Sequence, residues 1–251
     1  MRSLRAAIVF LTRIPVGVGR NGPPQLSRTV PWFPIVGAAI GALVGLVYLA
    51  LAQVLPATLS AAVAVSFGVA VTGAFHIDGL ADCADAFAGG TTVERRLEIL
   101  KDSRLGTYGT SALALVLLIE MAALAALDPT TGFKSLVSAY AIGRGASVCV
   151  MVFSRKTVKQ GLGADYISEL SSLRCVIGVL PVVAAVILIN GTQGLFLLVF
   201  ALPATVLMWA WSHRSIGGVV GDSLGAITQL SQTSVLIGAV TLNSGVCACS
   251  W

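Results

Sequence analysis

Apolar residues in this chain come in long unbroken runs, without the alternation that marks a strand. Residues 33–55 and 57–75 contain no charged side chain, 107–127 contains only Glu120, and 133–153 holds Lys134 near its start and Arg144 inside. Residues 173–189, with Arg174 at the edge, and 194–211 follow; a weaker run at about 230–249 is rich in Ser, Thr and Gly. A bilayer core of about 30 Å takes about 20 residues of helix. The pattern therefore predicts about seven membrane-spanning helices. A transmembrane barrel would show short segments of alternating polarity, whereas a helix satisfies its own backbone in lipid. The expected fold is all-α, a polytopic transmembrane helix bundle forming one integral-membrane catalytic domain over residues 1–251.

Two shorter elements are also expected. Residues 6–12 are an apolar stretch between arginines, and Arg13 and Pro15 stand where a cleavage site would need small residues. An N-terminal helix lying in the membrane interface fits better than a cleaved leader. Residues 94–100, with Leu97 and Leu100 among charges, predict a short amphipathic cytoplasmic helix.

Composition changes the picture little and charge placement changes it more. The chain is 56 % hydrophobic and 11 % charged, with mean hydropathy +0.91, against about 25 % charged residues in soluble domains. A disordered chain, an ordinary soluble enzyme and a collagen-like repeat are excluded. Fourteen of the sixteen basic residues precede the first run or lie in the second-to-third, fourth-to-fifth and sixth-to-seventh connections. The positive-inside rule makes that side cytoplasmic. The basic balance then needs no nucleic acid to explain it. Nine of the eleven acids share that side, which the rule does not require and which a site for metal or anionic ligands would explain. The five cysteines form no Cys-x-x-Cys pair; packing explains them better than zinc or redox chemistry.

The richest chemistry is HIDGLADCADAFAGG, residues 76–90. Asp78, Asp82 and Asp85 stand at i, i+4 and i+7, one face of a helix. Like charges so spaced repel, and no basic residue lies among them. A solvated acidic face is the plain alternative; a divalent cation removes the repulsion. Oxygen-only ligands favour Mg²⁺ or Mn²⁺ over zinc. KDSRLG then supplies Lys101, Asp102 and Arg104 before the third run, where Asp102 would complete the ligands while Lys101 and Arg104 clamp phosphate oxygens. Plain juxtamembrane anchoring would explain the two basic residues only. In residues 213–226, Gly217, Gly218, Gly221 and Gly225 surround Asp222, with neither a Walker A nor a dinucleotide spacing; this patch is expected to wall the same site. Glu120 and Arg144 lie inside runs, where an ionisable residue suggests function and a structural pair is the alternative. Gly37, Gly41 and Gly45 form a small-residue seam, for packing within the chain or between copies of it in a homo-oligomer.

FLTRIPVG near the start, FHIDGLADCADA, EILKDSRLGTYG, QGLG at 160–163 and GDSLGA at 221–226 occur in the order seen in cobalamin synthases. Over about residues 10–226 the chain resembles that family. The resemblance implies a Mg²⁺-dependent inner-membrane enzyme that joins α-ribazole, or its 5′-phosphate, to adenosylcobinamide-GDP and releases GMP. It also implies Asp78, Asp82, Asp85 and Asp102 as metal ligands, with Lys101, Arg104, Arg144, Gly221 and Asp222 on the substrate. The hydroxyl proton would go to a metal-facing carboxylate, Asp78 or Asp82, or secondly to His76. Two positions depart from the family: Gln229, where an acid is common, and Gln160, where Glu is frequent. A CDP-alcohol phosphotransferase-like lipid enzyme is a weaker match, because residues 78–82 lack its second spacer and its Arg. An ion-coupled transporter would place its acids at broken helices near the midplane.

Overall fold

The computed structural model describes residues 2–17, 25–154 and 170–244. Its helices are α1 (Arg2–Leu11), α2 (Leu26–Thr29), α3 (Phe33–Leu51), α4 (Ala57–Thr72), α5 (Phe75–Gly89), α6 (Val93–Ile99) and α7 (Thr107–Ala125), then α8 (Pro129–Phe153), α9 (Ser172–Asn190), α10 (Gln193–Ile216) and α11 (Gly221–Asn243). A 3₁₀ turn, Val30–Trp32, joins α2 to α3. No strand occurs among the described residues. α1 and α6 fall where the two amphipathic elements were expected.

Among the described residues, five segments are long and apolar enough to cross a membrane: α2 through α3, α7, α8, α9 and α10. A sixth exists only if α4 and α5, bent by 90°, count as one. The two differences from seven runs have physical causes. α4 ends at Gly73, whose φ of +61° closes the helix in the left-handed conformation, and Ala74 repeats it. A left-handed alanine costs about 1–2 kcal/mol, so the packing around it must hold the bend. The Arg13 N–H donates to the Val71 carbonyl at 2.8 Å, and the Arg13 side chain lies where a Cβ on Gly73 would be. The N-terminal segment thus latches the elbow, and α5 departs from the line of the spans.

α11 differs for another reason. It carries Gln229, Gln232, Thr228, Thr233, Ser223 and Ser231, all buried, which makes it too polar to read as a span. It packs against α8, α10, α5 and α7, so its side chains meet protein where lipid was assumed. Its helix also begins at Gly221, well before the expected run.

The glycine seam on α3 is used within the chain. A Cβ on Gly37, Gly41 or Gly45 would strike Tyr140, Leu136 or Phe133 of α8, so small residues let the two backbones approach. Tyr48, near the end of α3, reaches the end of α7 instead, donating to the carbonyls of Leu124 and Leu127 at 2.8 and 3.0 Å. Leu188, Leu195, Val199 and Leu207 leave α9 and α10 an exposed apolar surface, as lipid contact requires.

Candidate active site

The acidic helix is built by its neighbours. At its first turns α5 crosses the start of α11 so closely that a Cβ on Gly79 would come within 2.8 Å of the Asp222 carbonyl oxygen. Gly225 lies equally near His76 and Gly79, with the closest approach 3.4 Å. Two glycines therefore bring Asp222 to Asp78 and Asp82. Asp78 is exposed, while Asp82 and Asp222 are half-buried. Burial, then the charges of Asp78, Asp222 and Asp85, push the Asp82 carboxyl up to about 7. No lysine or arginine pairs with any of the three among the described residues.

The other two expected ligands are otherwise engaged. Asp85 accepts the Gly106 N–H at 2.7 Å and the Gly109 N–H at 2.9 Å. It therefore caps the first turn of α7 with both oxygens, satisfying donors that the helix leaves open. Asp102 is gripped by Arg104, with Nη2 at 2.6 Å and Nε at 3.0 and 3.1 Å; those bonds bring its carboxyl down to about 2. Lys101 is exposed and forms no ion pair among the described residues. Gly221 is exposed at the first position of α11 with open space at its Cα.

His76 and Arg144 lie away from the open face. His76 is 6 % exposed and Arg144 2 %, and Arg144 Nη2 stands 3.4 Å from His76 Nδ1. Burial, then the Arg144 charge, push the His76 ring well below its usual value. Glu120 and Arg144 do not touch: Gln232 stands between them, accepting from Arg144 Nη1 at 2.6 Å and donating to Glu120 at 3.2 Å. QGLG, Arg155, Lys156 and Lys159 lie outside the described residues.

Sequence reasoning placed Asp222 in the wall of the site but did not set it beside Asp78 and Asp82. It gave no role to Gly79, Gln229, Gln232 or Thr233. One signal was available: Asp222, Gln229 and Thr233 stand at i, i+7 and i+11, a polar line along one face of the helix.

The donor chemistry suits Mg²⁺. Asp78, Asp82 and Asp222 offer oxygen only and repel one another with no basic partner among the described residues, a condition a hard divalent cation would relieve. No group of three or more His, Cys, Asp or Glu forms a ready metal shell among the described residues, so part of the coordination would fall to substrate phosphates and water, as is usual for Mg²⁺.

Fold and site together define a polytopic helical membrane protein with an acidic cluster where α5 meets α11. A family model described as Cobalamin-5-phosphate synthase matches residues 3–240, and the chain belongs to that family. It is 36 % identical over 238 residues to the Adenosylcobinamide-GDP ribazoletransferase of Citrobacter koseri, covering 92 % of this chain and 96 % of the relative. No solved structure matches.

Proposed function

We propose that the chain joins α-ribazole, or its 5′-phosphate, to adenosylcobinamide-GDP with release of GMP. Membership of its family makes it a transferase of cobalamin biosynthesis. The observation that carries the finer reading is the meeting of Asp78, Asp82 and Asp222 through Gly79 and Gly225, unpaired by any described basic residue. In this reading a ribose hydroxyl attacks phosphorus and GMP leaves, chemistry that is mostly positioning and charge stabilisation. Asp78 and Asp222 would hold Mg²⁺ with Asp82 beside them. Mg²⁺, when bound, supplies charge neutralisation on the diphosphate.

Asp82 accepts the hydroxyl proton, its carboxyl at about 7 being matched to transfer near neutrality. His76 is too buried to reach a substrate hydroxyl on the open face. Lys101 and Arg104 are exposed on the loop that Asp85 ties to α5 through Gly106, where a phosphate could draw Arg104 from Asp102.

The site works at the cytoplasmic face of the inner membrane, following the basic residues. Lipid covers the apolar flanks. Neither nucleic acid nor a second copy is required, since orientation accounts for the basic residues and α8 takes up the glycine seam. The 90° break before Asp78 removes one argument against a transporter; family membership now stands against it. The test is GMP release from adenosylcobinamide-GDP and α-ribazole by the purified chain, with and without Mg²⁺. Release that requires Mg²⁺ and falls at least about a hundredfold in Asp222→Asn is expected, in line with loss of a charge-stabilising group. Absence of release, or full activity in Asp222→Asn, would overturn the reading.

A further inference from the structure

Below the acidic cluster the bundle holds a second polar group that the transfer chemistry does not use. Glu120 of α7 is 4 % exposed and accepts from Gln229 Nε2 at 2.8 Å, Thr233 Oγ1 at 2.8 Å and Gln232 Nε2 at 3.2 Å. Arg144 of α8 donates to Gln232 Oε1 and lies over the Tyr140 ring at 4.6 Å. Among the described residues, Gln232 is the side chain that hydrogen-bonds to both charges. Its amide has one useful orientation, oxygen to the guanidinium and nitrogen to the carboxylate.

A buried charge stripped of its partners is strongly unfavourable, so this bridge fixes the rotation of α11 about its axis. Asp222 lies in line with Gln229 and Thr233 on that helix, so the same rotation decides where Asp222 points. Through Arg144 the bridge also reaches His76, on the first turn of α5 and two residues before Asp78. Arg144 Nε has no hydrogen-bond partner among the described residues, and Arg144 lines a small cavity with Thr72, His76, Tyr140 and Glu120. Of the guanidinium's contacts the bond to Gln232 is the shortest, at 2.6 Å against 3.4 Å to both the Tyr140 carbonyl and His76 Nδ1.

We infer that Gln232 is a positioning residue: by bridging Glu120 and Arg144 it holds α11 and α5 in the register that sets Asp222 against Asp78 and Asp82. The inference rests on the transfer reaction proposed above. It concerns geometry alone, with no proton moved along the network.

The test compares the full chain in nanodiscs with three variants, following transfer and thermal unfolding together. Gln232→Leu keeps the volume and removes both bonds; kcat is expected to fall at least about tenfold while KM for both substrates stays within about threefold, the mark of an interaction felt in the transition state. Gln232→Glu alone sets two acids side by side and is expected to be equally impaired. Glu120→Gln with Gln232→Glu exchanges carboxylate and amide, placing the acid directly on Arg144, and is expected to recover to within about threefold of the parent, because neighbouring groups couple. A merely structural role would let activity follow stability, without a kcat-only loss and its recovery.

Unchanged kcat in Gln232→Leu, or an exchange variant that melts like the parent yet stays as impaired as Gln232→Glu, would overturn the inference. If Gln232→Leu does not fold, the single and exchanged Glu variants decide it. A parent that releases no GMP instead refutes the reaction assignment, so the two failures are distinguishable.

Discussion

Asp82 stands among Asp78, Asp222 and Asp85, half-buried, with its carboxyl at about 7 where an ordinary aspartate sits near 3.8. The folded chain therefore binds a proton there that the unfolded chain has released, and between about pH 4 and 7 stability falls as pH rises. Asp82→Asn removes that liability. The metal-free variant should melt higher than the parent at pH 8 and lose the advantage near pH 4, read by thermal unfolding in detergent. Equal melting at both pH values would refute the repulsion. As proton acceptor, Asp82 also predicts that kcat/KM rises about tenfold per pH unit below its pKa and levels off above it. Saturating Mg²⁺ should move that limb to lower pH, since a nearby cation favours the ionised form. Asp85 should behave otherwise, because both its oxygens cap α7. Asp85→Ala is expected to cost about 1 kcal/mol of stability with the Mg²⁺ half-saturation unchanged; a raised requirement would return it to the ligand set.

At the scale of elements, the site depends on the crossing of α5 and α11. Gly79 leaves no room for a methyl group against the Asp222 backbone, and overfilling such a contact costs about 1–3 kcal/mol. Gly79→Ala should therefore lower transfer more than about tenfold and lower melting, since the helices must separate where the acids meet. Normal turnover in that variant would mean that the crossing does not set the acids. The helices themselves were legible in the sequence, because apolar length and polarity are local. The bend was not, because Gly73 and Ala74 sit inside a continuous apolar run and the contacts that latch the elbow, to Val71 and Gly73, come from Arg13, sixty positions earlier in the chain. α11 misled for the opposite reason: its polar residues are satisfied by α7, α8 and α10, and hydropathy assumes that a helix faces lipid.

At the scale of the whole molecule, the chain runs between two ends. The α6–α7 loop and the α10–α11 turn share the acidic end, where Arg96 Nη1 of α6 donates to the Ser215 carbonyl in the last turn of α10 at 2.9 Å, while Gly191 and Thr192 turn the chain at the opposite end of α9 and α10. Cysteines introduced at exposed Ser103 and Arg214 should react with a membrane-impermeant thiol reagent from one side of the membrane, and one at exposed Thr192 from the other. Labelling of Ser103 and Arg214 positions from different sides would disprove the shared face. Asp78 and Asp82 could be found in the sequence because their spacing is helical. The third acid beside them could not, because Asp222 lies some 140 positions further along and only helix crossing brings it in.

The sequence by itself determined that the chain lives in a membrane, which segments are apolar enough to cross it, and that its acids gather in a few stretches. Those properties depend on composition and spacing, which a helix turns directly into faces. Tertiary structure alone decided which acids meet and which are spent elsewhere: Asp222 joins Asp78 and Asp82, Asp85 caps a helix, and Asp102 holds Arg104. It also decided that Glu120 and Arg144 meet through Gln232. The physical reason is the same in each case. A carboxylate takes the nearest donor or charge, and which one is nearest is set by how helices distant in sequence pack.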